Sequence, residues 1–160
     1  MEGIRIKNCV TEADFTRAKV VTLAYIDWLG IDLAYQDIEQ ELAGFSTMYG
    51  HPEGAYLLAV DGDDVAGGVG LRPLDEGICE MKRLFVYPNF NGKGIGRMLA
   101  DAVVEEARAR DYLRMRLDTL GRLTAAQQLY QSMGFVDIPP YRYNPDPSTR
   151  YMELDLRPGQ

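Results

Sequence analysis

The chain has 160 residues, of which 46% are hydrophobic and 26% are charged, and its formal net charge is -7. This length is typical of one domain with a substantial core, so we expect residues 1–160 to form a single domain. The acidic balance argues against a nucleic-acid binder, and the sequence shows neither an apolar leader nor a run near the ~18 residues of a membrane span, so we expect a cytoplasmic protein without a membrane partner.

The first elements are a short strand and one or two helices. Ile4 and Ile6 alternate with basic residues, which predicts a half-buried strand. Thr11 with Asp14 three residues later resembles a capping box, and the helix it begins has an apolar face to about Leu29. A shorter helix is indicated at Ile38, Leu42 and Phe45, with loops expected over 30–35 and 46–54.

Three strands are predicted next, over residues 55–60, 65–71 and 78–86. The turn sequence at 61–64 is typical of a hairpin, and residues 72–77 predict a second turn. The first half of the chain is therefore an antiparallel meander behind one or two helices.

The third strand leads into a glycine-rich turn that opens a helix. Glycines at 92, 94 and 96 allow a ligand to approach the backbone, and the first amides of the helix have no internal partner. Between residues 81 and 100 the charged side chains are all basic, namely Lys82, Arg83, Lys93 and Arg97. Free amides, the helix dipole and this positive charge together predict a pyrophosphate-like anion.

Two other phosphate-binding motifs compete for this stretch. A P-loop requires Ser or Thr after its Gly-Lys pair, whereas Gly94 follows Lys93 here. A dinucleotide fingerprint requires an acidic residue about 20 residues later, which Asp118 supplies. However, residues 87–90 separate the strand from the glycines, and the chain before Cys79 lacks repeated strand-helix units. The Rossmann interpretation is therefore the weaker one.

A helix from Gly94 and a strand over residues 112–118 complete a strand-helix-strand unit, which must pair in parallel. The site is then expected at the carboxyl end of the strand over 78–86. A final helix ends at Met133, with Gly134 as its left-handed cap and Phe135 folding back onto it. A closing strand is predicted from the alternation at residues 151–156.

Three segments together resemble the GNAT superfamily of acyl-CoA-dependent N-acetyltransferases. They are residues 80–86, the turn over 91–97 and the Leu-Tyr-Gln-Ser-Met-Gly-Phe segment at 129–135, and the resemblance extends from Ala55 to Leu156. It implies an α/β (α+β) fold with a mixed, mostly antiparallel sheet of about six to seven strands. Helices are expected on both faces, around a central parallel strand-helix-strand unit.

The resemblance also implies where acetyl-CoA binds, as a co-substrate and without a metal. In the family the glycine-rich turn holds the pyrophosphate of coenzyme A, which here implies the backbone of Asn91, Gly92, Lys93, Gly94, Ile95, Gly96 and Arg97. The preceding strand bonds the pantetheine arm through its main chain, which implies Leu84, Phe85 and Val86. Two positions depart from the family pattern. Asn91 replaces the usual Gln or Arg, and Leu123 replaces an Asn that many members carry at the start of the last helix.

Two side chains are implied as catalytic. Tyr130 matches the tyrosine that acts as general acid, and a phenol with a reference pKa of about 10 is protonated at neutral pH; the alternative is a core tyrosine with a hydrogen-bonded hydroxyl. Glu80 resembles the acid that draws the amine's proton through water, which a pKa raised by burial favours; the alternative is an ion pair.

Other residues are weaker candidates for chemistry. His51 is the chain's one histidine and lies in a loop, where a solvated side chain is the usual case. Cys79 has no nearby histidine to activate it as a nucleophile, and it shares no metal or redox spacing with Cys9. Tyr141 and Tyr143 either close over the acceptor or stiffen a proline-rich loop.

We therefore predict an N-acetyltransferase that moves an acetyl group from acetyl-CoA to a primary amine of a small molecule or protein, by direct transfer in a ternary complex. The alternative is a non-catalytic acyl-CoA sensor. The acceptor, the range of acyl groups and the general base are not fixed by the sequence, and a homodimer is possible.

Overall fold

The computed structural model describes residues 3–30 and 38–158. Its strands are β1 (Ile4–Asn8), β2 (Ala55–Asp61), β3 (Asp64–Asp75), β4 (Ile78–Val86), β5 (Arg114–Thr119), β6 (Val136–Ile138) and β7 (Arg150–Asp155). Its α-helices are α1 (Glu12–Leu29), α2 (Ile38–Ala43), α3 (Phe45–Met48), α4 (Ile95–Ala109) and α5 (Thr124–Met133). A 3-10 turn (Pro88–Phe90) lies between β4 and α4.

Within the described residues the strands form one seven-stranded sheet in the order β1-β2-β3-β4-β5-β7-β6. Only β4 and β5 pair in parallel, which the crossover helix α4 makes possible. The sheet has helices on both faces. Ile95 of α4 and Tyr130 of α5 belong to one core cluster, and Val21 of α1 and Tyr49 of α3 belong to another. The predicted fold class is confirmed, and the Rossmann alternative is wrong because the sheet is mostly antiparallel.

The two central strands separate before they end. Their ladder joins Ile78–Glu80 to Arg114–Arg116, although β4 continues to Val86 and β5 to Thr119. A gap therefore opens in the middle of the sheet, at the carboxyl ends of both strands.

A bulge in β4 accompanies this separation. The β3–β4 register shifts between the pairs Gly68–Phe85 and Gly70–Lys82, so β4 contains one extra residue. Arg83 lies there with φ of +61°, a left-handed conformation that is unusual outside glycine. Because one residue is added, the side-chain alternation changes phase: Met81 and Leu84 both face the core under α4.

Several boundaries differ from the sequence-based expectation. The strand predicted over 65–71 continues to Asp75, because β4 pairs with residues that the sequence marked as a turn. Pro73 is tolerated there because β2 pairs only as far as Leu71, so the other edge of β3 needs no donor. The loop expected over 46–54 begins inside α3, and β6 was not predicted because three residues show no periodicity. Of the loop expected over 30–35, residues 31–35 lie outside the described residues.

The local signals at the helix ends are confirmed. Thr11 and Asp14 form the expected capping box of α1. Gly134 ends α5 with φ of +102°, and the Phe135 amide donates to the Tyr130 carbonyl. None of the described helices is long and apolar enough to cross a membrane.

Candidate active site

A cavity of about 590 Å³ lies at the gap between β4 and β5. Five parts of the chain form its walls: the end of α1, the carboxyl half of β4, the carboxyl half of β5, the glycine-rich turn and α5. Its described lining residues are Tyr25, Trp28, Met81, Arg83, Leu84, Phe85, Val86, Pro88, Asn91, Gly92, Gly96, Leu117, Asp118, Thr119, Arg122, Leu123, Thr124, Ala125, Ala126, Leu129 and Tyr130.

The glycine-rich turn presents backbone amides at one end of this cavity. Gly92 and Gly94 have φ of +79° and +75°, and a Cβ at either position would meet nothing within 4 Å. The conformation of the turn, rather than crowding, therefore requires glycine at both positions. Gly94 is the N-cap of α4 and no side chain caps the helix; its carbonyl accepts the bond from Met98 N–H. The amides of residues 95–97 consequently have no acceptor within α4.

The side chains of this turn point elsewhere. Lys93 Nζ lies 5.5 Å from the centre of the Phe90 ring. Arg97 donates to Asp101 at 3.1 Å and to Ser132 of α5 at 3.1 Å, and Ile95 is in the core. Of the seven predicted positions, residues 91, 92 and 96 line the cavity, so the predicted contact with the cofactor is one made by the backbone.

The end of β4 forms a second wall. Phe85 and Val86 pair with Gly68 and Gly67 of β3 on one side. The other backbone edge has no partner strand among the described residues beyond Glu80, because the ladder to β5 has already ended. Together with Leu84, these residues line the cavity. Their contact with pantetheine remains a prediction.

Tyr130 lies on α5 and reaches the cavity from the face opposite α1. Its side chain is buried, and its ring packs against Phe135 at 5.7 Å between centroids. Burial raises the pKa of the phenol, and the nearby Tyr25 and Asp118 raise it further. Within residues 3–30 and 38–158, the hydroxyl has no hydrogen-bond partner. The group is therefore a protonated phenol at the cavity.

Glu80 is not among the described residues that line the cavity. Its carboxylate is fully buried and contacts Arg72 at 2.8 Å and Arg142 at 2.5 Å. The Tyr141 hydroxyl donates to it at 2.6 Å. Burial alone raises the pKa of Glu80, but the positive charges of Lys82, Arg72 and Arg142 outweigh burial and lower it to about 2. Of the two alternatives given by the sequence, the structure agrees with the ion pair and not with a pKa raised by burial, because Arg72 and Arg142 both contact the carboxylate.

Two more buried cations follow Glu80 along β4. Burial and the charge of Arg83 together lower the pKa of Lys82 to about 7, although Glu80 and Asp118 oppose the shift. Arg83 pairs with Glu41 of α2 at 2.9 Å, and both side chains are buried. The basic residues that predicted an anion site therefore do not all serve one site. Arg83 pairs with a buried acid and does not face the glycine-rich turn.

The minor candidates do not join Tyr130. His51 lies near Arg110, 3.3 Å from Nδ1 to Nη2, beside a different cavity. Cys79 is buried, and burial raises the pKa of its thiol to about 12, so it is not an activated nucleophile. Tyr141 binds Glu80, whereas Tyr143 is exposed. Among the residues with described placement, no group of three or more His, Cys, Asp or Glu is arranged to hold a metal.

The position of the second departure, Leu123, is the N-cap of α5 and supplies no side-chain cap. Gln127 instead donates to the carbonyls of Leu120 and Gly121, which fixes the loop before the helix. Arg122 donates to the carbonyl of Leu29 at the end of α1. These bonds join α1 and α5 across the cavity mouth without an Asn.

Sequence analysis did not identify the roles of five side chains that shape this region. Arg72 and Arg142 come from segments that were interpreted as a turn and a proline-rich loop, and neither has a local signal of its own. Asp118 was considered only as a ribose-binding acid, but it lines the cavity instead. Tyr25 and Trp28 continue the apolar period of α1, so their place at the cavity could not be distinguished from a core position.

Comparisons with known proteins agree with this geometry. Residues 20–135 match the family model described as the acetyltransferase (GNAT) family. An N-acetyltransferase of Schizosaccharomyces pombe, itself named as uncharacterized, is 37% identical over 156 residues, which is 96% of each chain.

Solved structures share the fold. A crystal structure of an acetyltransferase from Streptococcus agalactiae superposes with a TM-score of 0.78 at 23% identity, covering 97% of this chain and 99% of that one. The structure of YncA from Salmonella typhimurium, which contains its cofactor acetyl-CoA, has a TM-score of 0.66 at 19% identity, covering 98% and 96%.

Proposed function

Because this chain belongs to the GNAT family of acetyltransferases, an enzyme family that uses acetyl-CoA, we propose that it transfers an acetyl group from acetyl-CoA to a primary amine. The acceptor belongs to a small molecule or a protein, and transfer occurs directly in a ternary complex. Membership of an enzyme family favours this function over the non-catalytic sensor.

The observation that carries the proposal is the gap between β4 and β5. A strand edge without a partner accepts a chain of amides such as pantetheine by the same bonds that a neighbouring strand would make. The amides of the glycine-rich turn lie at the mouth of that gap and are suited to a pyrophosphate. A cavity with both features fits a long molecule with amides in its middle and a diphosphate at one end.

Tyr130 is the proposed general acid. The neutral amine nitrogen attacks the thioester carbonyl carbon, the carbon–sulfur bond breaks, and the phenol gives its proton to the departing thiolate. The proton that the nitrogen loses passes to water, and the phenolate is reprotonated from solvent. A thiol has a reference pKa of about 8.5, so a protonated phenol with no hydrogen-bond partner among the described residues is a suitable donor as negative charge develops on sulfur. Positioning both reactants in one cavity supplies much of the remaining acceleration.

The domain organisation and the location of the protein remain predictions. We propose that residues 1–160 form one domain, which is supported by a single sheet whose strands run from Ile4 to Asp155. We also propose a cytoplasmic location, on the sequence argument given above.

The test combines binding with product analysis. Titration of the purified protein with coenzyme A by calorimetry should show saturable binding at one site per chain. Incubation with acetyl-CoA carrying a labelled acetyl group and a panel of amino acids, arylalkylamines, polyamines and lysine peptides should label at least one amine, detected by mass spectrometry. Binding without transfer to any amine in the panel or in a metabolite extract would contradict the proposed activity.

A further inference from the structure

Asp118 occupies a distinctive position at the cavity. It lies two residues beyond Arg116, the last residue of β5 that pairs with β4. Side chains two apart on a strand share a face, and Leu117 between them belongs to the core under α4 and α5. Asp118 is therefore on the opposite sheet face from Tyr130, and both residues line the same cavity.

Only one oxygen of the Asp118 carboxylate accepts a hydrogen bond from the described residues. Its Oδ2 accepts from Arg142 at 3.1 Å, and within the described part of the chain no hydrogen bond to Oδ1 is found. The side chain is 13% exposed, so it is neither solvated nor fully enclosed. Of the described residues that line the cavity, Asp118 is the one acid.

The basic side chains around Asp118 have different partners. Arg142 is shared with Glu80, at 2.5 Å from that carboxylate. The buried Lys82 is close enough for Asp118 to oppose the lowering of its pKa to about 7. Arg83 pairs with Glu41, and Arg122 binds a backbone carbonyl. A carboxylate with an available oxygen at a cavity is the group expected to bind a further cation.

Aromatic rings on the neighbouring wall of the cavity also favour binding of a positively charged group. Tyr25 and Trp28 stack with 6.3 Å between centroids, and Phe85 lies 5.7 Å from Trp28. All three line the cavity and Trp28 is 49% exposed. The faces of aromatic rings attract ammonium groups, most strongly when water is partly excluded.

We propose that Asp118 binds the ammonium group of the acceptor as it enters the cavity. After the nitrogen has given one proton to water, the carboxylate still accepts a hydrogen bond from the neutral amine and orients its lone pair toward the thioester from the face opposite Tyr130. This inference rests on the proposed function and assigns its acceptor site. In this role Asp118 is a substrate-binding residue. It selects a primary amine, and the rest of the acceptor molecule packs on Tyr25 and Trp28.

The test compares Asp118→Asn with the wild-type chain, using the amine from the panel that the wild type acetylates fastest. Loss of one charged hydrogen bond corresponds to about a tenfold or larger rise in the KM for that amine. The KM for acetyl-CoA should stay within about twofold. Asp118→Glu should recover part of the loss, because it restores the charge.

Two further variants separate binding from a structural role. Arg142→Gln breaks the ion pair but leaves the carboxylate, so it should raise the KM for the amine less than Asp118→Asn does. Asp137→Asn removes an exposed ion pair with Arg150 away from the cavity and should leave both KM values unchanged. Thermal melting of all variants reports folding.

The outcomes distinguish a wrong assignment of Asp118 from a wrong proposed function. If the wild type acetylates the amine and Asp118→Asn has the same KM for it, the inference is wrong and the function stands. Equal losses in Asp118→Asn and Arg142→Gln would assign Asp118 to the structure and also overturn the inference. A wild type that acetylates no amine would contradict the proposed function itself, along with the acceptor site that rests on it.

Discussion

The hydroxyl of Tyr141 donates a 2.6 Å hydrogen bond to Oε2 of Glu80, joining the segment between β6 and β7 to the middle of β4. Arg142 contacts the same carboxylate at 2.5 Å, and Arg72 reaches its other oxygen from β3. Glu80 therefore links β3, β4 and the segment between β6 and β7, next to the point where the sheet opens.

The first prediction concerns stability at different pH values. Glu80→Gln should lower the free energy of unfolding at pH 7 by about 3 kcal/mol, because it removes the buried anion that pairs with Arg72 and leaves Arg142 with Asp118 alone. The pKa of Glu80 falls from its ordinary 4.5 to about 2 in the folded chain. Its contribution is thus present above about pH 4.5 and lost as the pH falls toward 2. Urea unfolding of both proteins from pH 7 to pH 2 measures this.

Glu153→Gln is the matched control, because Glu153 also pairs with two arginines but is 16% exposed. It should cost less at pH 7 than Glu80→Gln does. Equal stability of Glu80→Gln and the wild type at pH 7, or a difference that grows in acid, would contradict the assigned role.

The second prediction concerns the proposed general acid. Tyr130→Phe should lower kcat by about a hundredfold or more while the Kd for coenzyme A changes little, because the hydroxyl acts on the departing thiolate rather than in binding. Steady-state kinetics and calorimetry measure the two quantities. Tyr112→Phe is the control, since its hydroxyl donates to the Glu53 carbonyl far from this cavity. Full turnover in Tyr130→Phe would refute the acid assignment.

The third prediction concerns Gly94 in the glycine-rich turn and separates its effect on stability from its proposed effect on coenzyme A binding. Gly94→Ala should cost about 1–2 kcal/mol of stability, because φ of +75° strains a residue with a Cβ that otherwise has open space. It should also weaken coenzyme A binding, since the same strain displaces the first amides of α4. Gly62→Ala, in the β2–β3 hairpin, is the counterpart: its φ is +61° and its Cβ space is also open.

Thermal or urea unfolding should therefore show similar losses for the two alanine variants. Calorimetry with coenzyme A should distinguish them, with weaker binding in Gly94→Ala alone. Unchanged affinity in both variants would show that the turn does not hold the cofactor.

The fourth prediction concerns the bulge in β4. Arg83 and Glu41 form a buried ion pair at 2.9 Å, and Tyr49 donates to the same carboxylate at 2.8 Å. Arg83→Met or Glu41→Gln alone should each cost about 3–5 kcal/mol, because each removes one partner of a buried ion pair. The double variant should cost clearly less than the sum, and a double-mutant cycle from urea unfolding measures that coupling. Additive losses would show that the Arg83–Glu41 ion pair does not hold α2 against the bulge in β4.

Local rules identified much of this fold because they depend on near neighbours in the chain. The Thr11–Asp14 capping box, the Gly134 cap and the hairpin at residues 61–64 are each satisfied within a few residues, and all are present. The parallel pairing of β4 and β5 followed from the length of the intervening helix. Strand ends were less predictable. The extension of β3 to Asp75 depends on its pairing with β4, which outweighs the turn preference of Pro73 and its neighbours.

The sequence by itself determined the glycine-rich turn, the helix that begins at it and the family motif around Tyr130, because spacing and backbone conformation are properties of consecutive residues. The tertiary structure alone decided the state of Glu80 and the place of Asp118. A pKa depends on every charge within a few ångströms, and Arg72 and Arg142 reach Glu80 from positions 8 and 62 residues away along the chain. Asp118 became a cavity residue because β4 bends at Arg83 and parts from β5, which no local pattern in either strand encodes.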